Sequence, residues 1–117
     1  RAAPQGVNQA DLIGHGEMFC YARAEPHAPH AFRARMFAPA FGILEDPATG
    51  SAAAAIAGVL ARFESLGDGW HTLPILQGVE MGRPSLIGLE VEITNGKQTA
   101  ARIAGNAVKV SEGTIHV

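Results

Sequence analysis

Apolar and polar positions change their spacing repeatedly along the chain, and each change marks an element. From Gly16 the run GEMFCYARAE alternates, with Phe19 and Tyr21 on one face and Met18, Cys20 and Ala22 on the other, which is the period of a strand. The prolines of PHAPH at 26–30 interrupt it, because proline offers a ladder no donor. AFRARMF then resumes the alternation, with Phe32, Ala34 and Met36 opposite Arg33 and Arg35. Two strands this close predict a hairpin.

The segment 38–51, APAFGILEDPATGS, is too rich in proline and glycine for regular structure. No polar residue occurs from Ala52 to Ala61, and only Gly58, at about 1 kcal/mol against Ala, opposes a helix over 52–63. A helix apolar on every side is expected to be enclosed by protein. Arg62, Glu64 and the LGDG of 66–69 mark its end. Beyond Trp70 the runs LPILQG, SLIGLEVEIT, QTAARIA, NAVKVSEG and GTIHV read as strands separated by NG, GN and EG turns. In the longest, Ile87, Leu89, Val91 and Ile93 share a dry face, and Glu90 and Glu92 a wet one. Residues 1–15, with Pro4, Gly6, Asn8 and Gly14 around NQADLIG, read as a connector. The expected architecture is therefore an α+β domain over 16–117, a mostly antiparallel sheet curled around one central buried helix.

Composition narrows the class. With 117 residues, 47% apolar and 17% charged, the chain suits one core-forming domain. Nine basic residues form no run and the net charge is −2, so neither nucleic acid nor an anionic membrane is an expected partner. The single cysteine, Cys20, excludes an internal disulfide and a cysteine-built zinc site, and fits a reducing cytoplasm. The longest apolar run is about half what a bilayer needs, and no signal peptide opens the chain. The chain begins at Arg1, so the reading frame is expected to start upstream.

Candidate chemistry concentrates at EDPATGSA, 45–52. The first turn of a helix carries unpaired N–H groups and a partial positive charge, so Thr49, Gly50 and Ser51 would offer amides to a carboxylate, and Gly50 would let it approach. Glu45 and Asp46 stand beside that end as cap or proton carrier. An ordinary helix start explains the same letters, with Asp46 as N-cap and Pro47 at the first helical position. Neither Gly50 inside the first turn nor the extra Thr and Ser is needed by that reading.

Elsewhere the residues read as structural. His15, His27, His30, His71 and His116 show no metal-ligand spacing and read as surface or loop side chains, so no metal is expected. Arg35 and Arg83 suit an ion pair or a backbone contact before a substrate. Trp70 reads as a plug on the core, and Gly78, Gly82 and Gly88 as bends or bulges.

The motif R-M-F-A-P-x-x-G-x-x-E-D-P-A-T-G-S-A-x-A-A, at Arg35 to Ala55, with QGVEMGRPSLI at Gln77 to Ile87, resembles the signature of the PhzF-like phenazine-biosynthesis family. The resemblance implies the diaminopimelate-epimerase-like fold, with two similar halves and the active site between them. This chain would be the C-terminal half. It also implies an isomerase that moves a proton on a small carboxylic acid without cofactor or metal. Asp46 would assist proton transfer, Gly50 and Ser51 would hold the substrate carboxylate, and Thr49 would support them. The main glutamate base, helped by a histidine, would come from the N-terminal half, encoded upstream or as a separate polypeptide. Glu45 would then be structural or auxiliary. Related racemases use a cysteine pair at the helix starts, whereas here Pro47 fills that place and Cys20 lies in a strand. A homodimer is the implied assembly, and the isolated chain pairing with itself is a weaker variant. The alternative from another class is a non-catalytic domain that keeps the fold and binds small anions or assembles with partners.

Overall fold

A computed structural model describes residues 16–117. The N-terminal connector reading lies outside the described residues. The first two strands are β1, Met18–Arg23, and β2, Phe32–Ala38, paired antiparallel from Met18↔Phe37 to Arg23↔Phe32. This is the hairpin the alternation predicts. On β2, Phe32, Ala34 and Met36 turn inward, and Arg33 and Arg35 turn outward.

The segment after β2 holds more order than its composition suggests. A single 3-10 turn, Pro39–Phe41, closes on Gly42 with φ of 74°, and β3, Ile43–Asp46, returns antiparallel to β2. Proline starts such a turn without losing a bond, and glycine takes the left-handed exit, so breakers here shape a reversal. Helix α1 follows at Gly50–Phe63, beginning two residues before the predicted start.

Three of the seven strands among the described residues, β1 to β3, precede the helix, and four follow it. After β4, Gly69–Thr72, and β5, Ile75–Gln77, come β6, Ser85–Thr94, and β7, Lys97–Ala104. Strands β6 and β7 form a long hairpin whose two-residue loop, Asn95-Gly96, has both residues at positive φ, as the NG signal requires. Strand β5 runs antiparallel to β6 but parallel to β2, so the sheet is mixed. Sequence periodicity fixes which way a side chain points, not the direction of the neighbouring strand. The sheet is mostly antiparallel, as expected, with this one parallel pair among the described strands.

Helix α1 lies across β6 and β7 on its Ala53, Ile56, Ala57 and Leu60 face, spaced i, i+3, i+4, i+7. These join Phe32, Ala34, Ile75, Ile87, Leu89, Val91 and Ile93 in one core. The opposite face, with Ala54, Ala55, Gly58 and Val59, is exposed among the described residues. The expected all-round burial is therefore corrected to burial on one side. Alanine presents so little apolar area that an all-alanine surface tolerates water, and its abundance says little about enclosure.

Two further expectations are corrected. Residues 106–117 form no strand, although NAVKVSEG and GTIHV alternate as strands do. Val108, Val110, Ile115 and Val117 are all exposed, and an alternating segment becomes a strand only where a neighbour supplies ladder partners. Trp70 does not plug the core: it is 44% exposed on β4, with the Arg102 guanidinium 4.1 Å above its ring.

Candidate active site

The site is built where β3 ends and α1 begins. Asp46 is the last residue of β3, Pro47 and Ala48 bridge, and Thr49 is the N-cap position of α1 in extended backbone. Asp46 is therefore not the N-cap, and Pro47 lies outside the helix. The capping reading of these letters is overturned by the register of β3, whose Asp46 pairs with Met36 of β2. Thr49 does not cap its own helix with its side chain. Its Oγ1 instead donates to Asp46 Oδ2 at 2.5 Å, a short bond of the kind a charged acceptor makes.

Gln77, the C-terminal residue of β5, meets this loop from the core. It is fully buried and is the one polar or charged residue in the described core. Its Nε2 donates to the Asp46 carbonyl at 2.7 Å and to Thr49 Oγ1 at 3.0 Å, and its Oε1 accepts the Thr49 N–H at 3.3 Å. The Thr49 amide is thus satisfied within the fold. Of the three amides expected to receive an anion, those of Gly50 and Ser51 find no acceptor among the described residues, which is the ordinary condition of a first helical turn. Both residues are exposed, and a Cβ built on Gly50 would meet nothing nearer than Ile103 Cγ2 at 4.0 Å. Beside the first two turns of the helix a hollow of about 350 Å³ is lined by Glu17, Phe19, Met36, Ser51, Ala52 and Ala55; Asp46, Thr49 and Gly50 do not line it.

Glu45 turns away from this hollow to Arg35, which it engages through two parallel bonds. That pair raises the Arg35 pKa, chiefly through the side-chain hydrogen bond with Glu45. The structural role expected for both residues is what the geometry shows. Arg83 is exposed beyond a left-handed Gly82, and Gly88 packs closely against Ala104 in the β6–β7 ladder. His71 lies in β4 with its Nε2 2.6 Å from the Gly67 carbonyl oxygen, an exposed contact. His27, His30 and His116 lie outside regular elements, and His15 falls outside the described residues. No cluster of His, Cys, Asp and Glu suited to a metal occurs among the described residues. Cys20 is exposed on β1.

Sequence reasoning missed Gln77 as a site residue. A signal existed: Ile75 and Gln77 share the inward face of β5, so a polar side chain stands where the strand pattern calls for an apolar one.

The family model described as phenazine biosynthesis-like protein, PhzC-PhzF, matches residues 2–113. The chain belongs to this family. An uncharacterized isomerase of Mesorhizobium japonicum is 48% identical over 99 residues, which cover 85% of this chain and 33% of that protein. Trans-2,3-dihydro-3-hydroxyanthranilate isomerases are also similar. The Pseudomonas chlororaphis protein is 46% identical over 75% of this chain and 31% of its own length, and the Pseudomonas aeruginosa protein 41% identical over 84% and 34%. A crystal structure of a Bacillus anthracis phenazine biosynthesis protein of the PhzF family shares the fold, with a TM-score of 0.59 at 19% identity over 75% of this chain and 34% of that one. The chain spans about a third of the length of the curated relatives it matches. Among the described residues no helix is long and apolar enough to cross a membrane.

Proposed function

We propose that this chain is the C-terminal lobe of a two-lobed isomerase of the PhzF type, one that transfers a proton on a small carboxylic acid without metal or cofactor. The observation that carries the proposal is the junction of Asp46 with the start of α1, held by the Thr49 hydroxyl, in a family whose similar members are isomerases. The first-turn amides of Gly50 and Ser51, with the Ser51 hydroxyl, receive the substrate carboxylate, because fixed donors stabilise the charge that builds as the neighbouring proton leaves. Asp46 assists the transfer. An N-terminal lobe, from the same gene or a separate polypeptide, supplies the main glutamate base, and the hollow beside Ser51 lies open for that second surface. The substrate class follows from the relatives, a dihydro-hydroxyanthranilate or a similar small carboxylic acid. A homodimer in the cytoplasm completes the proposal.

A second reading is a non-catalytic lobe that binds small anions. It is favoured by one feature: among the described residues, no second acid and no histidine is hydrogen-bonded to the Asp46 side chain. The test is turnover of trans-2,3-dihydro-3-hydroxyanthranilate by the two lobes together, followed by deuterium uptake from D2O into the product. Asp46→Asn is expected to reduce turnover by about 10²–10⁴-fold, the usual contribution of a positioned acid or base, with the fold intact. Turnover unchanged in that variant removes Asp46 from the mechanism, and binding without any turnover in the parent selects the second reading.

A further inference from the structure

Gln77 does more than fill the core. A buried carboxamide has one acceptor and two donors to satisfy, and the orientation of this one is fixed by its neighbours: the Thr49 N–H can only donate and the Asp46 carbonyl can only accept. Oε1 must therefore face Thr49 N, and Nε2 must face Asp46 O. The second Nε2 hydrogen then points at Thr49 Oγ1, 3.0 Å away. A threonine hydroxyl has a single hydrogen. Because Oγ1 accepts from Gln77, that hydrogen is left for Asp46 Oδ2, at 2.5 Å.

We propose that Gln77 is a positioning residue for Asp46, acting through Thr49. Its amide decides where the hydroxyl hydrogen goes, and so holds the carboxylate by Oδ2, leaving Oδ1 for proton transfer. The proposal rests on the reading of Asp46 as the group that assists proton transfer. A second contact locks the same junction. A Cβ on Gly78, the next residue, would stand 2.9 Å from the Pro47 carbonyl oxygen, so the Gln77-Gly78 pair lies directly against the Asp46–Thr49 loop.

The relay predicts how the Asp46 carboxylate is held, which loop stability alone does not set. The test is the NMR chemical shift of the Asp46 carboxyl carbon at neutral pH in the 117-residue chain. Thr49→Val removes the donor and is expected to move that resonance. Thr49→Ser restores it. Gln77→Met, close in size, is expected to move it in the same direction, and to add nothing in the Thr49→Val background, since the two residues act on Asp46 in series. Gln77→Leu, which likewise carries no donor, serves if the methionine variant does not fold. The charged groups on neighbouring elements, Arg33 and Arg35 of β2, Glu45 of β3 and Glu80 beyond β5, are unaltered in all variants.

A folded Gln77 variant whose Asp46 carboxyl-carbon resonance stays at the parent's position overturns the proposal, as does an equal displacement with and without the Thr49 hydroxyl. In the two-lobe assay, Gln77→Met is expected to move the pH profile of kcat more than KM. The expected resonance displacements with a parent that never turns over would discard the isomerase reading and leave the relay standing. An active parent whose Gln77 variants keep the kcat profile would discard the relay alone.

Discussion

Arg35 grips Glu45 through two parallel hydrogen bonds, Nε to Oε1 and Nη2 to Oε2, each 2.9 Å long. The side chains retain 12% and 14% exposure, and the guanidinium also sits 4.8 Å from the Phe37 ring centroid. This fork joins β2 to β3 one residue before Asp46, so it sets where the acid stands. Removing Arg35 leaves the largely buried Glu45 carboxylate without this fork.

Arg35→Met is therefore expected to destabilise the chain by about 3 kcal/mol. Arg35→Lys keeps the charge but loses the fork, and should still destabilise by about 1 kcal/mol. Urea midpoints at constant m-value check both. Because pairing raises the Arg35 pKa, its charge persists at every pH where the chain is folded, and the loss should not vary between pH 6 and 9.

Gly50 separates folding from docking. A Cβ there meets only open space, so Gly50→Ala should leave stability unchanged or raise it by up to about 1 kcal/mol from helix propensity. Under the proposed function the same methyl stands where a carboxylate must approach, and Gly50→Val more so. Benzoate affinity, measured by chemical-shift titration with the two lobes together, should fall at least tenfold; equal affinity would remove the carboxylate site from this helix start.

Gly78 is required for two reasons. Its φ is +80°, and a Cβ would stand 2.3 Å from the Arg83 carbonyl oxygen and 2.9 Å from that of Pro47. Gly78→Ala should cost about 2–4 kcal/mol, strain and backbone clash together. Gly82, with φ of +73° and nothing near, provides the control: Gly82→Ala should cost about 1 kcal/mol. Comparing their unfolding midpoints isolates the clash.

Asp68 ties the turn after α1 to the β6–β7 hairpin, accepting the amides of Asn95 at 2.9 Å and Gly96 at 3.0 Å. The Gly96 and Asn95 bonds hold its pKa below the ordinary aspartate value. A depressed carboxylate pKa contributes stability that is present above the unfolded value and lost as pH falls through the folded one. The stability difference between the parent and Asp68→Asn should thus persist from pH 7 to about 4 and vanish at lower pH. A difference independent of pH would sink the assignment.

Much of the fold was legible in the chain because side-chain period is a local property. Phe32, Ala34 and Met36 announced β2, and Ile87 through Ile93 announced β6, since each must bury alternate residues wherever its partners stand. EDPATGSA marked the candidate site because small polar residues and two acids there abut an apolar helical run. The helix start was read two residues late, and Asp46 was open to a capping role, because β3 ends in a contact with Met36 that lies ten residues away in sequence.

The sequence by itself determined which residues face inward, where the Asn95-Gly96 turn falls and which short segment holds the candidate chemistry, all consequences of period and turn stereochemistry within a few residues. Only the tertiary structure decided that β5 runs parallel to β2, that α1 buries one face, and that Gln77 reaches across 31 residues to the Asp46 carbonyl. Those outcomes depend on which distant groups become neighbours, and a buried amide chooses its partners only after the chain has closed around it.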